Sequence, residues 1–312
     1  FSYIHGCITI RFCMAEENQS FYHYTDINAL RGIIENRKIY LTCHSFLNDS
    51  SEFSAGYEVL LDSLRARVSG IPGDNKAHIF LAAILRLLED TIFYSASFSK
   101  HRNLLSQWRG YCPKEGGYSI EFDRKILSTL TGHQGRGGNS INERTIADCI
   151  YAEDSIKKSS IDIAHKTIET LLKDIKTPTG HISLHEAFTK LLKFVVQVKD
   201  KCFKEEDEVR LYTYTHKAFT ETYSRPSLPL VGINKVLPPI KIHTKEVPNF
   251  RSRENYIIPY FEELIPKNTI KSITIGPCKD PQMSELGLIM LLSKVDPEKI
   301  ITIYNSDLPF RV

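Results

Sequence analysis

The arrangement of helical and extended patterns along the chain constrains its fold more than any other sequence feature. Amphipathic helical patterns lie among short alternating strand patterns, but the two do not follow one another regularly. Because a doubly wound parallel sheet needs a regular strand–helix–strand order, we expect an α+β fold with a mixed sheet. The patterns predict helices at 27–34, 52–68, 77–88, 155–175, 184–198 and 283–294. They predict strands at 39–43, 91–98, 117–122, 145–151, 208–214, 240–247, 255–260, 270–275 and 299–304.

The length and the grouping of these patterns favour one domain. At about 150 residues per domain, 312 residues correspond to roughly one or two domains. Two successive helical patterns interrupt the β-rich remainder, so we interpret 21–312 as a single α+β domain with a helical insert at about 153–203. Met14 and the six residues after it resemble an ordinary translation start, and we expect residues 1–20 to be a disordered or non-native leader.

Composition excludes several classes of protein. The chain has 40 Lys+Arg against 37 Asp+Glu and is 42% hydrophobic, which excludes disordered, collagen-like and disulfide-scaffold chains. A net charge of +3 is too small to indicate nucleic-acid binding. No apolar run approaches the ~20 residues of a membrane span, so we expect no membrane association. The seven cysteines are dispersed and lack Cys-x-x-Cys spacing, which predicts reduced thiols, no metal site and a cytoplasmic protein.

Three short polar clusters are the candidates for chemistry: Tyr22–Thr25, Tyr94–Ser99 and Glu205–Arg210. Each also has a purely structural interpretation. His23 can be a hydrogen-bonded core histidine, and the serines can bond local backbone. Glu208 and Arg210 share a strand face and can form a simple ion pair worth ~1 kcal/mol or less.

Together, the three clusters resemble the three-part motif of ADP-ribosyltransferases: an early histidine, a Ser-x-Ser on a middle strand and a Glu-x-Glu on a later strand. The resemblance implies a mixed-sheet fold of that kind, with NAD as substrate. It also implies that Glu208 is the catalytic carboxylate and that Glu206 helps to position or activate the acceptor. The remaining implied ligand contacts are His23, Tyr24, Thr25, Tyr94, Ser97 and Ser99, with Tyr94 or Tyr24 stacking on nicotinamide.

The chemistry of NAD cleavage calls for these residue types. Loss of nicotinamide leaves positive charge on the ribose, as in glycoside hydrolysis, and an adjacent carboxylate stabilises that charge. The guanidinium of Arg210 lowers the pKa of the Glu208 carboxyl group, and an ionised carboxylate suits charge stabilisation. The residues leave open whether Glu206 or Glu208 has the main role. Arg102 and Arg109 are candidate phosphate contacts, and Trp108 and Tyr111 can wall a nucleotide site.

A second resemblance covers the chain from about Phe21 onward. Eight pieces in order are similar to the bacterial domain-of-unknown-function family 2971. They are Tyr22–Thr25, Leu47–Asp49 followed by Glu52, Ser97–Ser99, Trp108 with Tyr111, Gly117–Asp123, Glu206–Arg210, Ile275–Pro277 and Ser306–Arg311. Members of this family are similar to proteins found near bacterial defence systems, which implies an anti-phage effector or toxin. The implied partners are NAD, a protein or nucleic-acid acceptor, and an antitoxin or defence-system component.

Three other functions remain open. The same carboxylate would serve an NAD glycohydrolase, in which water replaces the macromolecular acceptor. A non-catalytic sensor of nucleotide or phage protein would use Glu206 and Glu208 only as a structural ion network. A nucleic-acid-binding role would depend on the diffuse basic group Lys241, Lys245, Arg251 and Arg253.

Overall fold

The protein has an α+β fold built on a mixed ten-stranded sheet, as the sequence predicts. A computed structural model describes residues 20–47, 53–71, 75–131, 144–174, 180–216, 247–253, 255–298 and 300–309. The strands are β1 Ser20–Thr25, β2 Lys38–Cys43, β3 Thr91–Ser99, β4 Tyr118–Asp123, β5 Thr145–Asp148, β6 Glu208–His216, β7 Asn249–Arg253, β8 Tyr256–Leu264, β9 Ile270–Ile275 and β10 Thr302–Asn305. The predicted strand at 240–247 falls almost entirely within 217–246, outside the described residues.

Eight α-helices are described. They are α1 Ile27–Asn36, α2 Ser54–Ser69, α3 Asn75–Glu89, α4 Leu105–Tyr111, α5 Arg124–Ser128, α6 Glu153–Asp174, α7 Gly180–Gln197 and α8 Pro281–Val295. Two short 3₁₀ segments, His44–Phe46 and Lys201–Glu206, precede α2 and β6 respectively. The predicted helical patterns therefore correspond to α1, α2, α3, α6, α7 and α8, whereas the sequence analysis missed α4 and α5.

The core lies on both faces of the sheet. Alternate residues of β3 separate into two clusters: Ala96 and Phe98 pack in one and Phe93 in the other. The first cluster takes in the apolar stripe of α1 and Leu288 of α8. The second takes in residues of α2, α3, α6 and α7. The long helices of the predicted 153–203 insert thus cover one face of the sheet, since buried apolar side chains must be removed from water on both sides.

The sheet is split beside its central strand. The strand order of the sheet is β10-β9-β4-β1-β3-β2-β8-β7, and β6 pairs with β3 along the whole length of both strands. On its other edge, β3 pairs with β1 only at Ser99 and with β2 only at Tyr94 and Ser95. Between these contacts, β1 and β2 diverge and leave a gap beside Ala96–Phe98.

Helix α1 begins where the sequence predicts, directly after β1. The Asp26 carboxylate accepts a 2.8 Å bond from the Ala29 N–H, which caps the first turn. The apolar residues that recur at spacings of three and four place Leu30, Ile33 and Ile34 in the core. The helix then ends at Arg37 in the left-handed region, and β2 starts at the next residue. This short helix connects the two strands on either side of the gap.

Gly276 allows α4 to pack tightly against the sheet. Its N–H donates to the Gly117 carbonyl, and an added Cβ would lie 2.7 Å from the buried Trp108 ring. Gly276→Ala should therefore lower the free energy of unfolding by about 1–3 kcal/mol, because a rigid ring cannot yield as a flexible side chain would. Urea denaturation measures the effect.

The matched control is Gly287→Ala, on the exposed side of α8, where an added Cβ meets nothing within 4 Å. It should stabilise the protein by about 0.5–1 kcal/mol, since alanine loses less backbone entropy in a helix. Equal urea midpoints for Gly276→Ala and the unmodified protein would contradict the proposed contact with Trp108.

Candidate functional site

A cavity of about 710 Å³ occupies the gap between β1 and β2. Residues from β1, α1, β2, β3, α4, β6, β7 and the segment preceding β6 line it. The three sequence clusters all contribute, with lining residues up to 185 positions apart: His23, Tyr24, Thr25, Ser97, Glu206 and Glu208 all lie in its wall. The structure thus brings most of the predicted site residues to one place.

His23 reaches the cavity because the sheet is split. Tyr22 is in register with Ser99, and Ser99 with Glu208, so in a continuous sheet His23 would face away from Glu208. Beyond Tyr22, β1 leaves β3, and the His23 ring bonds the Ser97 carbonyl with Nδ1 at 2.9 Å. A carbonyl only accepts, so Nδ1 carries the hydrogen and Nε2 is the ring nitrogen that can accept from a ligand. Burial lowers the pKa of His23 more than this bond raises it, which keeps the ring neutral at pH 7.

Glu206 and Glu208 belong to a buried ion cluster, consisting of Lys199, Glu206, Glu208 and Arg210. Lys199 Nζ lies 2.5 Å from Oε2 of each glutamate. Arg210 contacts Glu208 with Nε at 2.9 Å and Nη2 at 3.1 Å. Burial raises the pKa of Glu208, but the charges of Arg210 and Lys199 outweigh it and hold that pKa well below its usual range. Two cations and two carboxylates therefore balance inside the protein.

The two carboxylates differ in how many of their oxygens accept hydrogen bonds from the cations of the cluster. Glu208 is 3% exposed, and both its oxygens accept from Arg210 or Lys199. Glu206 is 7% exposed, and in the described part of the chain its Oε1 accepts a hydrogen bond from the Tyr111 hydroxyl alone, at 3.4 Å. Glu206 therefore has the carboxylate oxygen that can more readily approach a ligand.

Local backbone geometry explains how Glu206 and Glu208 come to share one cluster. Asp207, which lies between them, has a positive φ of 41° and ends the 3₁₀ segment. The Ser99 hydroxyl donates a 2.7 Å bond to the Glu206 carbonyl, which ties this turn to the end of β3. Ser99 is thus a buried positioning residue, and it lies outside the cavity lining.

The structure keeps two other predicted ligand contacts away from the cavity. Tyr94 is buried in the core, where its ring packs edge-on against Phe261 at 4.7 Å. It lies on the side of β3 opposite Ser95 and is in register with Cys43, where β2 pairs with β3 and the gap is closed. Arg109 is exposed on α4 and does not line the cavity.

Two of the aromatic residues that line the cavity, Tyr24 and Tyr111, are positioned differently. Tyr24 packs edge-on against Trp108 at 4.7 Å, and its hydroxyl donates to the His101 carbonyl and accepts from Leu104 N–H. Tyr24 therefore holds α4 against β1. Tyr111, at the end of α4, is partly exposed beside Glu206 and is the better placed ring for stacking on a planar ligand.

Several lining residues were not identified as site residues from the sequence: Thr42, Ser95, Gln107 and Arg251. A usable signal existed for Ser95, because Ser95, Ser97 and Ser99 alternate and must share one strand face. No such signal existed for Arg251, since β7 has mostly exposed residues and lacks an apolar alternation. The interpretation of Arg251 as part of a diffuse basic surface missed its contact with Thr42.

The chain was compared with known families, curated proteins and solved structures. Residues 107–211 match the family model "Protein of unknown function (DUF2971)". This confirms the family resemblance over that segment, which contains most of α4 and all four residues of the buried ion cluster. His23, Ser97 and Arg251 lie outside the matched segment. No curated protein and no solved structure matches the chain.

Within the described ranges, His, Cys, Asp and Glu side chains do not form a group of three or more suited to a metal ion. In the same ranges, every helix is too short or too polar to span a membrane.

Proposed function

We propose that the protein binds NAD in this cavity, cleaves the bond between nicotinamide and ribose, and transfers ADP-ribose to a macromolecule. The observation that carries the proposal is the convergence of His23, Ser97 and the Glu206–Glu208 pair on one cavity. These are the residue types that the resemblance to ADP-ribosyltransferases requires. The reverse arrangement, with the imidazole and the carboxylates in separate places, would have excluded it.

The charges around the cavity also suit NAD. The carboxylates lie beside Ser99 at one end of β3, whereas Arg251 contacts Thr42, which is in register with Ser95. Four residues along a strand separate these ends by ~13 Å. NAD carries a cationic nicotinamide ring and an anionic diphosphate, so it can place opposite charges at the two ends.

The proposed reaction is a substitution at the ribose carbon that bears nicotinamide. The carbon–nitrogen bond breaks, and its electron pair goes to the ring nitrogen, which neutralises the nicotinamide. The acceptor atom forms the new bond to that carbon and loses its proton to solvent or a nearby base. Between these events the ribose is positively charged, and the Glu206 carboxylate would stabilise it.

The remaining residues would hold the substrate. His23 Nε2 accepts from a ribose hydroxyl, Thr25 and Ser97 line the same region, and Tyr111 stacks on nicotinamide. Glu208 acts as a positioning residue, since it fixes Lys199, which in turn contacts Glu206. The macromolecular acceptor, the cytoplasmic location, the antitoxin and the role in anti-phage defence stay predictions.

His23→Ala should weaken NAD binding by about tenfold, because the ring supplies one neutral acceptor and part of the cavity wall. Isothermal titration calorimetry measures the affinity, and chromatography measures the release of nicotinamide. The matched control is His165→Ala, on the exposed side of α6, which should bind NAD as the unmodified protein does.

The same experiment can overturn the proposal. An unmodified protein that neither binds NAD nor releases nicotinamide would reject it. A folded His23→Ala variant with unchanged affinity would remove His23 from the site. ADP-ribose appearing only as a free product would favour the glycohydrolase, whereas labelled protein or nucleic acid favours transfer.

One observation favours a second candidate, a non-catalytic nucleotide sensor. Lys199 and Arg210 already neutralise Glu208 and contact both of its oxygens, as in a structural ion network. A sensor would bind NAD with ordinary affinity and leave it intact. Binding without nicotinamide release therefore separates the sensor from the enzyme.

A further inference from the structure

We infer that Thr42, Ser95 and Arg251 form a subsite for a phosphate group of the ligand, at the opposite end of the cavity from the carboxylates. This inference rests on the proposed function, which identifies the cavity as the ligand-binding site. It adds the class of ligand: a molecule whose phosphate points toward Ser95 while another group faces Glu206, with Ser95 and Ser99 about 13 Å apart along β3.

Strand register places the three side chains together. Thr42 of β2 is in register with Ser95 of β3, so their side chains are neighbours on one face. Tyr260 of β8 is in register with Thr42, and Ile258, two residues earlier, with Arg251 of β7. Arg251 therefore lies on the same face, and its Nη2 donates a 3.0 Å bond to Thr42 Oγ1.

Two donors in this group lack a protein partner. The Ser95 hydroxyl belongs to a residue that is only 2% exposed, and it lines the cavity. Neither Ser95 Oγ nor the buried Nε of Arg251 has a hydrogen-bond partner among the described residues. Because buried polar atoms without partners are costly, two such atoms on one cavity wall indicate a ligand that bonds them.

The guanidinium is held in place before any ligand binds. It lies over the rings of Tyr40 and Tyr260, 5.6 and 5.8 Å from their centroids. Burial and the positive charge of Arg253 both lower the pKa of Arg251, and a bound anion would offset both effects. Lys38, which also lines the cavity, pairs with Glu262 at 2.5 Å. The negative charge of Asp26, which also lines the cavity, raises the pKa of Arg251.

Phosphate fits this set of donors better than a carboxylate does. Thr42 Oγ1 accepts from Arg251, so its own hydrogen can point to a ligand. Two hydroxyls and a guanidinium then offer donors from several directions, which a tetrahedral phosphate can use at once. Arginine also presents two parallel N–H groups, as phosphate recognition requires.

Calorimetry with ADP, inorganic pyrophosphate and adenosine tests the subsite directly. The unmodified protein should bind ADP at least ten times more tightly than adenosine, and added salt should weaken ADP binding. Arg251→Ala should lower the affinity for ADP at least tenfold and leave adenosine binding unchanged. Arg251→Lys should restore part of the loss, and Ser95→Ala should cost about threefold, as expected for one neutral hydrogen bond.

The control is Arg65→Ala, an exposed arginine on α2 that does not line the cavity, which should bind ADP normally. Because Arg251 also packs on two tyrosines, urea denaturation of each variant checks that it is folded. The inference is overturned if folded Arg251→Ala binds ADP as tightly as the unmodified protein, or if adenosine binds as well as ADP.

Its failure can be told apart from failure of the proposed function. Phosphate-dependent binding that Arg251→Ala abolishes, without any release of nicotinamide from NAD, would keep the subsite and reject the enzyme. Release of nicotinamide at an unchanged KM in Arg251→Ala would keep the enzyme and reject the subsite.

Discussion

Arg210→Met is expected to lower the free energy of unfolding by about 3–5 kcal/mol, the cost of breaking a buried ion pair by removing one partner. Arg210 has no exposed surface, and it bonds both oxygens of Glu208 and the Val196 carbonyl. Methionine fills much of the same volume, so packing changes little. The variant leaves two buried carboxylates with Lys199 as their only remaining cation in the cluster.

Urea denaturation at neutral pH measures this effect. The matched control is Lys201→Met, which removes a cation from the exposed pair with Glu153 and should leave the urea midpoint nearly unchanged, because water screens an exposed ion pair. The double variant Glu208→Gln/Arg210→Met removes one charge of each sign. It should be more stable than Arg210→Met alone, because the remaining Lys199–Glu206 pair is balanced.

The pH dependence of the same proteins gives a second test. Arg210 and Lys199 hold the pKa of Glu208 below its unfolded value, so this carboxylate stabilises the fold above the unfolded pKa. That contribution is lost as the pH falls through the lower, folded pKa. Without Arg210 the folded pKa of Glu208 rises toward or above its unfolded value, so the variant should lose less stability than the unmodified protein as the pH falls from neutral into the acidic range. Equal stabilities at neutral pH would show that the cluster is not buried as described.

The sequence predicts the fold best where one face of an element is apolar. The stripe of α1 and the alternation in β6 both identify their elements, because burial imposes a period on the residues. Helix α4 is missed because it has seven residues and no side-chain cap. Strand β7 is not predicted because an edge strand needs no apolar face. Arg251 lies on this strand, so its place in the cavity wall is not predicted either.

The candidate site is predictable only in part, for a related reason. Residue type identifies His23, Ser97 and the two glutamates as a set worth testing. Residue type does not show that β1 separates from β3 after Tyr22, on which the position of His23 depends. Nor does it show that Lys199, seven residues before Glu206, bonds both carboxylates. Tyr94 is predicted as a stacking ring from the resemblance, whereas the structure places it in the core where β3 pairs with β2.

Glu206→Gln is expected to lower the rate of nicotinamide release by about 10²–10³-fold, the usual cost of losing one electrostatic group that stabilises a transition-state charge. Glutamine keeps the shape and removes the charge. Because that charge acts mainly when the ribose becomes positive, the affinity for NAD should change by less than about threefold. Single-turnover rates and calorimetry separate the two effects.

The neighbouring residue provides a close control. Glu205 is exposed one position earlier in the chain, so Glu205→Gln makes the same chemical change outside the cavity and should leave the rate unchanged. Glu208→Gln should act differently from both, since it removes a positioning residue. We expect it to destabilise the fold and to lower the rate less than Glu206→Gln does. If Glu208→Gln instead abolishes release while Glu206→Gln retains it, the sugar faces Glu208, and Oε1 of Glu206 serves only to bond Tyr111.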